Sequence, residues 1–201
     1  MQSSQNKIEI AISSKRRGRM FFAKEFAHYG TSAAVRQALS RLCREGFIVR
    51  LSAGIYLYPK IDKYMGILYP SIEDIAKAIA DQEKARIFPT GVYALNVLGL
   101  STQVPMKVVF LTDGTPRVIN IEGKACIYFK KTIPKYLSFK GKITSLIIFA
   151  LKEIGKDNVT DVQMQKIKEA LIHETHKNIM HDAVLAPAWI SDIISKLIDY
   201  E

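Results

Sequence analysis

The chain has 201 residues, 48% of them hydrophobic, and a formal net charge of +10. That length holds one large domain or two small ones, and that apolar content builds a real core, which excludes a disordered chain. Eleven basic residues and only three acids fall in residues 1–60, a net of +8, whereas the remaining 141 residues net +2. Charge concentrated in this way is the electrostatic footprint of a surface that meets phosphates.

Two cysteines, Cys43 and Cys126, lack C-x-x-C spacing, so no disulfide framework is implied and both read as small buried residues in a reducing compartment. The polar start, MQSSQNKIEI, lacks the apolar core of a secretion signal. The longest uninterrupted apolar run, Leu146–Leu151, is far short of the roughly 20 residues that cross a bilayer. A cytoplasmic protein is expected.

In chain order, Ile8 and Ile12 share a helical stripe within Gln5–Ser13, which predicts a first helix. Lys15, Arg16, Arg17 and Arg19 follow in a basic loop. Met20–Phe22 reads as a brief strand and Ala23–Tyr29 as a short helix stopped by Gly30, with His28 a surface or capping residue.

Thr31-Ser32 then supplies hydroxyl oxygens for a helix start. Val35, Ala38, Leu39 and Leu42 recur at i, i+3, i+4 and i+7, the spacing of one buried face, and Gly46 supplies the stop. At 100° per residue, Arg36, Gln37, Ser40, Arg41 and Arg44 fall on the opposite side, and the only acid between Ala33 and Leu51 is Glu45. Two β-type runs, Phe47–Leu51 and Ile55–Tyr58, flank Ser52-Ala53-Gly54, a hairpin turn. A helix with one apolar and one Arg/Gln/Ser face, leading straight into a hairpin, is the ground plan of a winged helix-turn-helix. The expected DNA contacts are Ser32, Arg36, Gln37, Ser40, Arg41 and Arg44 on the helix and Arg50 and Ser52 in the wing. Lys15, Arg16, Arg17 and Arg19 are expected on the phosphate backbone.

Lys60–Tyr69 shows no helical period and reads as the connection between residues 1–60 and a second domain, residues 71–201. There Ser71 and Asp74 form a capping box for a helix over Ile72–Glu83, and a short helix is predicted at Val92–Leu98. Lys107–Thr112, Arg117–Glu122 and Ala125–Lys130 are β-type runs broken by turn residues, predicting a small antiparallel meander. Helices are predicted over Ile143–Ile154, Thr160–Thr175 and Ala188–Ile198. The fold class expected is α+β: an N-terminal winged helix-turn-helix, then a second α+β domain with a small antiparallel sheet and C-terminal helices.

Catalytic chemistry finds little support. His173-Glu174-Thr175-His176 is one residue short of the H-E-x-x-H zinc spacing, and nothing else in the sequence organises a site around it. No glycine-rich phosphate loop occurs, and no nucleophile–base pair stands out. No enzyme activity, cofactor or metal is expected.

The pattern resembles a known family, the AbiEi-like antitoxins of bacterial abortive-infection (type IV toxin–antitoxin) systems. The residues that carry it are Arg36–Leu42 (RQALSRL) leading into Gly54-Ile55-Tyr56, then Pro89-Thr90-Gly91, Leu98–Pro105 (LGLSTQVP) and Leu185–Ile190 (LAPAWI). The resemblance implies an N-terminal domain that binds operator DNA at inverted repeats and represses its own operon. It also implies a C-terminal domain that counters a nucleotidyltransferase toxin encoded next door, without a stable complex. No functional residue of the second domain is carried over. The alternative is a plain winged-helix regulator whose second domain binds a small ligand or a protein.

Overall fold

The computed structural model describes residues 3–121, 123 and 125–198. The chain is α+β and divides into two compact units: residues 1–78 with 120–124, and residues 79–119 with 125–201.

The first unit begins with α1 (Ser4–Ser13) and β1 (Met20–Phe22), followed by a 3-10 helix, Ala23–Tyr29. Next come α2 (Ser32–Arg44), β2 (Val49–Ser52) and β3 (Ile55–Leu57). The helix α2 starts where sequence chemistry places it, because the Thr31 hydroxyl accepts from Ala34 N and satisfies one of the amides a helix start leaves open. It stops at Gly46, whose φ of 72° is left-handed and suits glycine. Its buried side chains, Val35, Ala38, Leu39 and Leu42, meet Ile8 and Ile12 of α1 and Phe21, Phe26, Ile48 and Tyr56 in one core. At roughly 1.5–3 kcal/mol for each fully buried large side chain, this cluster carries most of the unit's stability.

The three strands form a sheet in the order β1–β3–β2, with both pairings antiparallel. Gly30 lets α1 and α2 approach. A Cβ there would fall 2.8 Å from Ser4 Oγ, and that hydroxyl donates to Tyr29 O at 2.9 Å.

Lys60–Tyr69 is not a plain connection. It folds as a second hairpin, β4 (Lys60–Asp62) and β5 (Gly66–Leu68), because the Asp62 carboxylate accepts from the amides of Tyr64 and Met65 and closes the turn. α3 (Ile72–Glu83) follows, opened by the reciprocal Ser71–Asp74 bonds of a capping box. The division between the units falls within it.

The second unit comprises β6 (Ile87–Thr90), α4 (Val92–Val97), β7 (Lys107–Thr112), residues 117–119 of β8 (Arg117–Ile121), β9 (Ala125–Lys131) and a 3-10 helix, Pro134–Ser138. After these come α5 (Lys142–Ile154), α6 (Asp161–Leu171), α7 (His176–Val184) and α8 (Ala188–Ile198). α5 is the central helix, with Leu146 to Leu151 all buried among side chains of α4, α6, α7 and α8.

Its four strands run β6–β7–β9–β8. β6 and β7 pair antiparallel, but β7 and β9 pair parallel, so the expected meander order is replaced by one in which β9 lies between β7 and β8. At the β6 edge, the Asp113 carboxylate accepts from Arg86 N at 2.7 Å and Arg86 Nε at 2.9 Å, which ties the end of β7 to the start of β6 and leaves its other edge to β9. The four residues Asp113–Pro116 reach about 13 Å, enough to step past one strand position.

The helix expected over Thr160–Thr175 is two helices. α6 ends at Leu171, and α7 starts afresh with Thr175 as its cap, the hydroxyl accepting from Asn178 N. The break serves the start of α5, where Gly141 offers no capping side chain. Asp182, 0% exposed, accepts from Lys140 N at 2.9 Å and Gly141 N at 2.8 Å, while Glu174 accepts from Ile143 N at 3.1 Å. Two carboxylates thus satisfy the open amides and the positive end of the helix dipole. A side chain at Gly141 would sit 2.8 Å from Glu174 Oε2, so only glycine admits that carboxylate.

Candidate nucleic-acid interface

Around the axis of α2 the buried residues occupy one arc of about 100°. Outside it, Ser32, Arg36, Gln37, Ser40, Arg41 and Arg44 are all exposed. Arg36, Ser40 and Arg44 follow at i, i+4 and i+8, which stacks them in one row along the helix. Gln37 and Arg41 form a second row beside it. None of the three guanidinium groups meets a carboxylate of a described residue. Glu45, the one acid nearby in sequence, is turned to Gln5 of α1, whose Nε2 donates to it at 3.1 Å.

The β2–β3 hairpin stands beside this face. Arg36, Ser40 and Arg44 share one depression of about 400 Å³ with Arg50, Gly54 and Tyr56. Arg50 pairs across the ladder with Tyr56, and its Nε reaches Ser52 O at 3.4 Å. Gly54, with φ of 75°, makes the turn, and Gly54 O accepts from Ala23 N, which fixes the hairpin tip to the start of the 3-10 helix. A bulge between Arg50 and Ser52 twists the hairpin locally. Burial pushes the Tyr56 hydroxyl up from its ordinary range, with Cys43 adding to the shift and Arg50 opposing it.

The structure therefore brings Arg36, Ser40, Arg44 and Arg50 to one depression, with Ser32 beside Arg36, while Gln37 and Arg41 lie on the neighbouring exposed row of α2 and Ser52 follows the bulge in β2. It does not bring Lys15, Arg16, Arg17 and Arg19 there. β1 starts at Met20 opposite Leu57, at the end of β3 away from the hairpin turn, so the basic loop lies about 13 Å further along the strand. Two of its four cations are also engaged. Arg17 donates to Pro59 O at 3.2 Å and stacks on the Tyr58 ring at 4.7 Å, and Arg19 stands 3.8 Å from Glu25. Lys24, by contrast, is exposed and shares a surface depression with Ser32 and Arg36. Its signal in the sequence was its place at the start of the short helix that precedes α2.

The histidine pair belongs to other structure. His173 lies in the turn after α6 and His176 is the first residue of α7, so they do not share one helix, and Glu174 between them is occupied by the start of α5. Among the described residues no group of three metal-capable side chains comes together. No helix of the described residues is long and apolar enough to cross a membrane.

A family model matches residues 7–179, most of the chain, ending within α7. The chain belongs to DUF6088, a family of unknown function. No curated protein matches the chain. Among solved structures, it is similar to the Rv2827c protein from Mycobacterium tuberculosis, at 11% identity and a TM-score of 0.48, over 96% of this chain and 81% of that one.

Proposed function

We propose that the first unit is a winged helix-turn-helix that binds double-stranded DNA and that the protein is a transcriptional regulator. The observation that carries the reading is the row of exposed Arg36, Ser40 and Arg44 on α2, facing the same depression as Arg50 of the hairpin. The element order supports it: helix, strand, short helix, α2, then a two-stranded wing. α2 is 13 residues long, about 20 Å, and the major groove is about 12 Å wide, so the helix can lie in it with its outer rows on the base edges. Arginine suits the paired acceptors of guanine, and Gln37 suits adenine. Arg50 and Lys24 flank the helix, where the phosphates of the groove walls would run.

The resemblance to AbiEi-like antitoxins extends this reading to an operon. In it the protein represses its own promoter at inverted repeats, and the second unit counters a nucleotidyltransferase toxin. That extension rests on the resemblance alone, and co-expression with the nucleotidyltransferase reading frame of its own operon tests it. Growth rescue by the second unit's presence supports the antitoxin role; an isolated gene, or no rescue, leaves a plain regulator.

For the DNA reading, duplexes selected from a randomised pool give the operator, and anisotropy titrations then compare variants. Arg41→Ala is expected to weaken specific binding by ~1–3 kcal/mol and to relax preference at one base pair. Arg50→Ala is expected to weaken all duplexes alike and to lower the salt slope by about 0.9. A pool that yields no enriched sequence, with both variants binding like the parent, removes the proposal.

A further inference from the structure

The β4–β5 hairpin exposes apolar side chains that no core explains. Tyr64 is 88% exposed and Met65 79%, both in the three-residue loop between Asp62 and Gly66. An isolated two-stranded hairpin is marginal in water, so its tip needs a reason to be ordered. Here the Asp62 carboxylate holds the amides of Tyr64 and Met65 at 2.8 and 3.0 Å, and Gly66 at φ of 71° closes the loop. The tip is built, and it offers an aromatic ring to solvent.

Its base adjoins the basic loop. Gly18 N donates to Tyr58 O at 2.6 Å, Arg17 reaches Pro59 O, and a Cβ at Gly18 would lie 3.9 Å from Lys60 Cβ. Residues 15–19 and 60–66 together carry six cations and one acid, and that acid, Asp62, is spent on the turn. With Arg17 stacked on Tyr58 and Arg19 facing Glu25, the outward cations are Lys15, Arg16, Lys60 and Lys63, all exposed. Lys63 Nζ lies 5.6 Å from the Tyr64 ring centroid, which puts charge and ring side by side.

We infer that this loop and hairpin form a second nucleic-acid surface of the first unit, one that takes single-stranded DNA or RNA. Cations along a surface track a phosphate backbone, and an open aromatic ring accepts any unpaired base by stacking. A duplex would satisfy the lysines but offers no bare base face to Tyr64. A second copy of this chain would bring the same excess of positive charge and be repelled. The surface is separate from the α2 face, since it gathers at the opposite end of β3 from the hairpin turn, and it does not rest on the major-groove reading.

The test uses the full chain with fluorescent dT20, rU20 and a 20-base-pair duplex. The parent is expected to bind dT20 or rU20 at low salt, and whichever is tighter identifies the strand type. Tyr64→Ala is expected to weaken that binding about tenfold, and Tyr64→Phe to restore it. Lys60→Ala with Lys63→Ala is expected to lower the slope of log affinity against log salt by about 1.4. Arg36→Ala with Arg41→Ala is expected to leave single-strand binding unchanged while losing duplex specificity. The inference is overturned if the hairpin variants bind both single strands like the parent, or if the α2 variant alone abolishes their binding. Binding to phosphatidylserine vesicles with none to either strand overturns it equally.

Discussion

The two units use charged side chains in opposite ways. In the second unit, Asp182 and Glu174 point inward and are consumed by the amides that open α5. In the first, Arg36, Arg41 and Arg44 point outward and meet no described carboxylate. A carboxylate turned onto a helix start stabilises the fold and is silent towards partners. An arginine held on a well-packed helix contributes little to the fold and is available to something else. The sequence pattern alone does not separate the two; the neighbour each charge finds does.

The largest test of this contrast is Asp182→Ala. It leaves two amides at the start of a buried helix without an acceptor, together with His181, whose Nδ1 lies 2.8 Å from Asp182 Oδ1. A loss of about 3–5 kcal/mol in denaturant unfolding is expected. Thr31→Ala, which removes the cap of α2, is expected to cost about 1 kcal/mol by the same measurement.

The effect of acid should be smaller still, because Glu174 is only partly buried. Burial alone would push its carboxyl up, but hydrogen bonds from Asn178 Nδ2 and from the amides of Ile143, Thr175 and Thr144 outweigh this and hold it below the ordinary value. A depressed folded-state pKa contributes stability above the unfolded value, near pH 4.5, and that contribution is lost as pH falls through the folded value. Glu174→Gln should flatten this part of the stability–pH curve. Arg36→Ala should change stability by no more than about 0.5 kcal/mol, the usual range for a surface change. A loss of several kcal/mol there would erase the contrast.

What the sequence made legible was local. The start of α2 at Thr31, its apolar period and its stop at Gly46 all lie within sixteen residues, and helix, hairpin and the outward arginines follow from them. What stayed hidden depended on distant partners. β6 was not predicted: it is four residues long and contains Pro89, which an edge strand tolerates where no ladder amide is needed. The order of β7, β8 and β9 rests on a parallel pairing between β7 and β9, strands that are not consecutive in the chain, and no local turn signal announces it. The helix break before His176 serves a glutamate required by α5. Within the candidate interface, the capture of Arg17 by Tyr58 and Pro59 removed a residue that composition alone had made look available.

The late arrival of β9 has a consequence for the chain as it leaves the ribosome. Until Ala125–Lys131 has emerged and inserted, one edge of β7, KVVFLT, stays open to pairing with any other nascent strand. Lys107, at the start of β7, puts a charge at one end of that open edge, the place of a gatekeeper against co-translational aggregation.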